Sequence, residues 1–240
     1  MGRAVSFSSE VLRVSFEMVF AATAAGTAAV AWLAHRERQS IRGRRRVILE
    51  PVVPLFENAI FTSDGAGIPK LEGRYRDLDL KLDLIPDTMT IKRLPQLWLS
   101  VTAIKPLPIA DAGIAILIRP SGADFYSLTE KMSERLDPPP SLPWECLVRG
   151  ETDKSASTLA VIAPEAARIL SDPKVKEIAA TKRGVRIVTQ LAEGKRGQHL
   201  LLRQCDFEGA LLPPELLDAI VANLGKLLTT LAPHHVRTAS

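Results

Sequence analysis

Four aspartates, Asp77, Asp79, Asp83 and Asp87, recur along one leucine-rich stretch, and clustered carboxylates are the groups that gather a divalent cation. Their spacing argues against that chemistry. Calcium ligands converge from a tight loop, whereas a period of two along an extended strand spreads side chains over one solvated face. The other reactive residue types are as scattered. His35, His199, His234 and His235 do not have the spacing of a zinc box. Cys146 and Cys205 could serve as a nucleophile or a redox pair, but no His or Arg arrangement singles out either, and both read as reduced, buried structural thiols. Gly65 and Gly67 lack the flanks of a phosphate loop, and no G-x-S-x-G occurs. No metal and no cofactor is expected. An enzyme would need a site assembled from dispersed residues, for which Asp77, Asp79, Arg119, Trp144 and Arg149 are the candidates.

The strongest chemical signal is a charge signal. Arg36, Arg38, Arg42, Arg44, Arg45 and Arg46 form a collar opposed only by Glu37. An uncharged run over residues 18–34 precedes it directly. As a helix, that run of 17 residues is about 25 Å long, a little short of a hydrocarbon core of roughly 30 Å. Extending it back to Val14 reaches about 31 Å and takes in Glu17. Eight of the 17 are alanine, so the drive to insert is weak, yet length and flanking charge favour a single transmembrane helix over about 14–34. A cleaved signal peptide or a twin-arginine export signal would place its basic residues before the apolar run instead. Arginine stays on the cytoplasmic side, so the N-terminus should face out and the bulk of the chain should be cytoplasmic, as in a bitopic inner-membrane protein. The collar would also meet anionic lipid headgroups. Small residues at Ala21, Ala25 and Ala29, and at Ala22 and Gly26, would permit two anchors to pack as a homo-oligomer.

The formal charge of +4 is local. The collar over residues 35–46 carries a net +5, residues 1–34 carry none, and the remainder sums to about −1. A nucleic-acid-binding domain shows a clustered basic surface, so a soluble nucleic-acid-associated protein is the weakest alternative.

Elements follow from periodicity. Residues 47–61 are apolar and interrupted by Pro51 and Pro54, and residues 63–69 form a loop. Residues 71–85 give the clearest strand signal, with Leu78, Leu80, Leu82 and Leu84 alternating with charged neighbours. Strands follow at 96–104 and 113–119, the latter apolar on both faces and therefore central. Residues 125–136 suit a helix, 144–149 a short strand, and 157–171 a helix broken at Pro164. Strands at 175–181, 185–191 and 198–205 are joined by Gly-bearing turns, which require antiparallel neighbours. Residues 213–231 close the fold with an amphipathic helix.

The class is thus α+β: an N-terminal transmembrane helix, then antiparallel sheets covered by helices, arranged as two similar halves. The expected organisation is an N-terminal segment at 1–34, the collar and linker at 35–70, and a first half at 71–136. A Pro-rich link at 137–143, a second half at 144–232 and a tail at 233–240 complete it.

The stretch DTMTIKRLPQLWLSVT over residues 87–102 adds a resemblance, together with Leu71-Glu72-Gly73, Arg119-Pro120 and Arg183-Gly184. It resembles a group of uncharacterised single-pass membrane proteins from alphaproteobacteria, over most of the chain after the collar. The resemblance implies a bacterial membrane protein and transfers no functional residue. The functional expectation is a membrane-anchored protein whose cytoplasmic domain binds a protein partner or the membrane surface.

Overall fold

The leucine alternation at residues 78–84 becomes the third strand of a single large sheet. The computed structural model describes residues 20, 23–33, 36, 45–64, 67–87, 94–109, 111–194, 207 and 209–232. They fall into two units, Met1–Arg44 and Arg45–Ser240.

In the first unit residues 23–33 are helical (α1), and every one of them is exposed. Among the described residues no helix is long and apolar enough to cross a membrane. The span expected over 14–34 lies partly outside the described residues.

The second unit opens with a 3-10 turn, η1 (Val53–Leu55), and then strands β1 (Glu57–Ser63), β2 (Pro69–Tyr75), β3 (Leu78–Asp87), β4 (Gln96–Ile104) and β5 (Ile114–Ile118). A second 3-10 turn, η2 (Leu128–Lys131), leads to β6 (Glu134–Leu136) and β7 (Cys146–Gly150). Helix α2 (Ser155–Leu170), strands β8 (Val175–Thr181) and β9 (Gly184–Glu193), and helix α3 (Pro214–Leu231) follow. The nine strands form one sheet in the order β1-β2-β3-β4-β9-β8-β5-β7-β6, and all neighbours are antiparallel. The α+β class and the helix-covered antiparallel sheet stand as the sequence predicts.

Both helices pack on one face. Leu80 and Leu82 of β3, Leu99 and Val101 of β4, Ile116 of β5, Ile178 of β8 and Ile187 of β9 meet Ile162 and Ala166 of α2 and Leu217, Leu224 and Leu227 of α3 in one core. Each fully buried leucine of α3 contributes about 1.5–3 kcal/mol relative to an exposed one, which holds the helix against β4 and β9.

Several local expectations change. Residues 71–85 are not one strand but the hairpin β2–β3, turning at Arg76 and Asp77. Arg76 adopts φ 54°, a left-handed conformation that Gly or Asn usually signals, and so the turn is invisible to composition. Residues 125–136 are not a helix. Ser127 caps only the short η2, accepting from Thr129 N, and Glu134–Leu136 then pairs with β7. Pro164 does not break α2; it sits on the exposed side, where the carbonyl that loses its partner can be hydrated. The link at residues 137–143 does not mark a boundary between halves. It joins β6 to β7, which pair with one another, and β5 lies between β8 and β7. The strand expected at 198–205 lies outside the described residues.

Candidate functional site

Because α2 and α3 occupy one face of the sheet, any site built on strands must use the other. The chain segment after β5 folds across a portion of that face. Tyr126 packs on Trp98 and Val188, with the Tyr126 and Trp98 rings 5.9 Å apart, and Met132 packs on Ala115 and Ala179.

Beneath this segment lies a set of buried charges. The register of β8 against β9 shifts between Val175 and Glu177, and the β-bulge leaves two adjacent charged residues, Lys176 and Glu177, both buried. Lys176 Nζ lies 3.2 Å from Asp124 Oδ1 and donates to the carbonyl of Arg119 at 2.6 Å. Asp124 Oδ2 accepts from Ser121 N at 2.6 Å. Tyr126 donates its hydroxyl proton to Asp124 Oδ1 at 3.4 Å. Burial pushes the Tyr126 phenol well above its usual range, and Asp124 and Asp87 reinforce the effect. Next to it, Glu177 Oε1 accepts from Ser127 Oγ at 2.8 Å and from Leu128 N at 2.7 Å, while Oε2 accepts from Arg186 Nη2. Arg186 also donates to the carbonyl of Tyr126 at 3.1 Å. The charges are spent on one another, which is how a buried charge is tolerated, and together they pin residues 124–129 to the sheet.

Beyond the pinned segment the face opens into a groove of about 590 Å³. Its floor is β3, β4, β8 and β9, through Lys81, Asp83, Ser100, Thr102, Thr181 and Arg186. Lys131 of η2 stands on one side, and Lys182 and Arg183 of the β8–β9 turn on another, with Glu151 also in the lining. Lys81 is bonded to Glu72 at 2.6 Å, and that bond holds its ammonium above the ordinary lysine value. Asp83 has Lys70 at 3.8 Å, yet burial still raises its carboxyl above the usual range.

The residues proposed from sequence are not gathered here. Asp77 and Asp79 are exposed at the β2–β3 turn and on β3, while Arg149 lies on β7, five strand positions across the sheet, about 24 Å at the spacing between strands. Arg149 donates to the carbonyl of Met132 at 3.2 Å, Arg119 to the carbonyls of Pro173 and Val175, and Trp144 is 87% exposed. These five do not form one pocket. Among the described residues, no three His, Cys, Asp or Glu side chains are placed to hold a metal ion. Cys146 is a free, partly buried thiol whose pKa is pushed up by its burial, and Cys205 and the four histidines lie outside the described residues. Of the collar, Arg36 stacks over the Trp32 ring at 5.6 Å in the first unit, and Arg46 over the Phe61 ring at 5.0 Å in the second. Arg45 begins the second unit, and Arg38, Arg42 and Arg44 lie outside the described residues.

The groove residues escape sequence reasoning because they sit on separate elements. One signal was present: Lys176 and Glu177 are adjacent charges inside an apolar strand, which breaks alternation and marks a bulge with buried partners. No protein-family model matches the chain, and a search of curated proteins returned no match.

Proposed function

We propose that the protein is a bitopic inner-membrane protein whose α+β unit is a cytoplasmic binding module. The observation that carries this reading is α1. It belongs to a unit separate from the sheet, and Val30, Trp32 and Leu33 present their apolar side chains without cover. Exposed apolar side chains on a helix are of the kind that lipid can cover. Trp32 and Arg36, stacked together at the end nearer the collar, are the pair of residue types that sits at a membrane interface. The arginine run then holds the sheet unit on the cytoplasmic side and meets anionic headgroups. The resemblance to single-pass membrane proteins of alphaproteobacteria points the same way.

The binding role of the sheet unit rests on its half-open groove. An enzyme reading loses its motivation where Asp77, Asp79, Arg119, Trp144 and Arg149 stand apart. The membrane assignment is tested by washing membranes from cells that express the full chain. The protein should stay in the pellet through high salt and alkaline carbonate and leave it only with detergent. Release by salt alone would return the collar to a purely electrostatic role and sink the anchor.

A further inference from the structure

The groove on the open face carries an excess of unspent positive charge. Among the described residues, Lys131, Lys182 and Arg183 line it with no ion pair to any acid. All three are exposed. The remaining cations of the lining are already matched, Lys81 by Glu72 and Arg186 by Glu177. Asp83 faces Lys70. Glu151 is the one acid set against the three, so the lining presents a net charge of about +2. The floor adds donors. The hydroxyls of Ser100 and Thr102 have no protein partner among the described residues.

We propose that this groove binds a phosphorylated small molecule, held by Lys131, Lys182 and Arg183 over the hydroxyls of Ser100 and Thr102. A phosphomonoester carries about −1.5 to −2 charge at neutral pH and offers three acceptor oxygens, which matches both the charge and the donor supply. A lysine supplies a point charge and an arginine a planar fork, the two ways proteins hold phosphate. The volume falls within the range of small-molecule sites, about 300–1,000 Å³. The pinned segment at residues 124–129 gives the groove a fixed wall, so binding need not order it. The inference builds on the binding-module reading of the sheet unit and is independent of the membrane anchor.

The test uses the full chain purified in a neutral detergent and inorganic pyrophosphate as the probe, titrated calorimetrically at constant ionic strength in chloride. Saturable binding is expected. The double substitution K182Q/R183Q, and separately K131Q, should weaken it about tenfold or more while melting temperature and circular dichroism stay unchanged, because all three side chains are exposed. The collar is the competing site for any anion, so R38Q/R42Q/R44Q serves as the control and should leave pyrophosphate binding intact. A second arm replaces pyrophosphate with vesicles of phosphatidylglycerol. Absence of saturable pyrophosphate binding, binding lost only in the collar variant, or binding to vesicles alone each overturns the proposal. Release from the membrane by salt would overturn the anchor and leave this titration unaffected.

Discussion

Arg186 and Glu177 form an ion pair between neighbouring strands that is closed to solvent on the glutamate side: Glu177 is fully buried and the Arg186 side chain keeps only 15% of its exposure. The same carboxylate holds Ser127 and Leu128, so one residue ties β8, β9 and η2 together. A buried pair adds little over an apolar replacement, but removal of one partner strands the other charge. Arg186→Met should therefore cost about 3–5 kcal/mol in urea unfolding. Adding Glu177→Gln, which keeps an acceptor for Leu128 N and discards the charge, should recover a measurable share of that loss. An additive double mutant would show that the two side chains are not coupled.

Gly184 makes the β8–β9 hairpin possible. It sits at φ 145°, and a Cβ there would lie 1.9 Å from the carbonyl oxygen of Ala103 on β4. Gly184→Ala must push β9 off β4 at the centre of the sheet, and a loss of about 3 kcal/mol or more is expected, within the range of strained backbone sites and broken pairing. Gly225 gives the internal control. It lies inside α3, and a methyl group added there would meet nothing within 4 Å, so Gly225→Ala should stabilise by about 0.5–1 kcal/mol through helix propensity alone. Thermal melts of the two variants should move in opposite directions.

Asp83 sets a pH dependence whose sign follows from its burial. Burial raises its carboxyl above the ordinary 3.8, against the weaker pull of Lys81 and Lys70. The folded protein therefore holds this proton more tightly than the unfolded chain does. The resulting stabilisation is complete below the unfolded value and is lost as pH rises through the folded one. Asp83→Asn removes that loss. The stability of the variant relative to wild type should climb as pH rises from below 3.8 toward neutrality, measured by urea unfolding across the range. A difference that stays flat with pH would mean that Asp83 titrates as it does in the unfolded chain.

How far these features could be read in the sequence depends on whether they are local. The leucines at 78–84, strand β4, the β8–β9 hairpin and the stripe of α3 were legible, because a period of two or 3.6 and a glycine at a turn are written in consecutive residues. The turn at Arg76 and Asp77 was not, since an arginine takes the left-handed conformation with no compositional sign. Nor was the fate of residues 125–136: their helical pattern is overruled by Glu177, fifty residues away from Ser127, which takes the hydrogen bonds of Ser127 and Leu128. The groove is the extreme case. Lys131 belongs to η2, Ser100 and Thr102 to β4, and Lys182 and Arg183 to the β8–β9 turn. Only the strand order, with β9 between β4 and β8, brings them to one place.

Orientation in the membrane is the remaining prediction, and it rests on charge on the two sides of the apolar run. Six arginines against one glutamate follow it within residues 35–46, while residues 1–34 carry no net charge. The bias of Lys and Arg across a single span sets its orientation. Each arginine at the bilayer centre costs at least about 2.5 kcal/mol on insertion scales, so moving the whole collar across is prohibitive. A reporter fused after Ser240 should therefore report the cytoplasm, and Cys146, a free thiol in the structure, should stay reduced and react with a maleimide after denaturation. Replacing Arg36, Arg38, Arg42, Arg44, Arg45 and Arg46 with Gln should give a mixture of orientations. The sheet unit should survive the change, because its buried core begins at Ile48 and what Arg46 gives up is its stacking on the Phe61 ring at the edge of that core. Two results would reverse this topology: a wild-type fusion active only in the periplasm, or a Cys146 thiol found oxidised in the native protein.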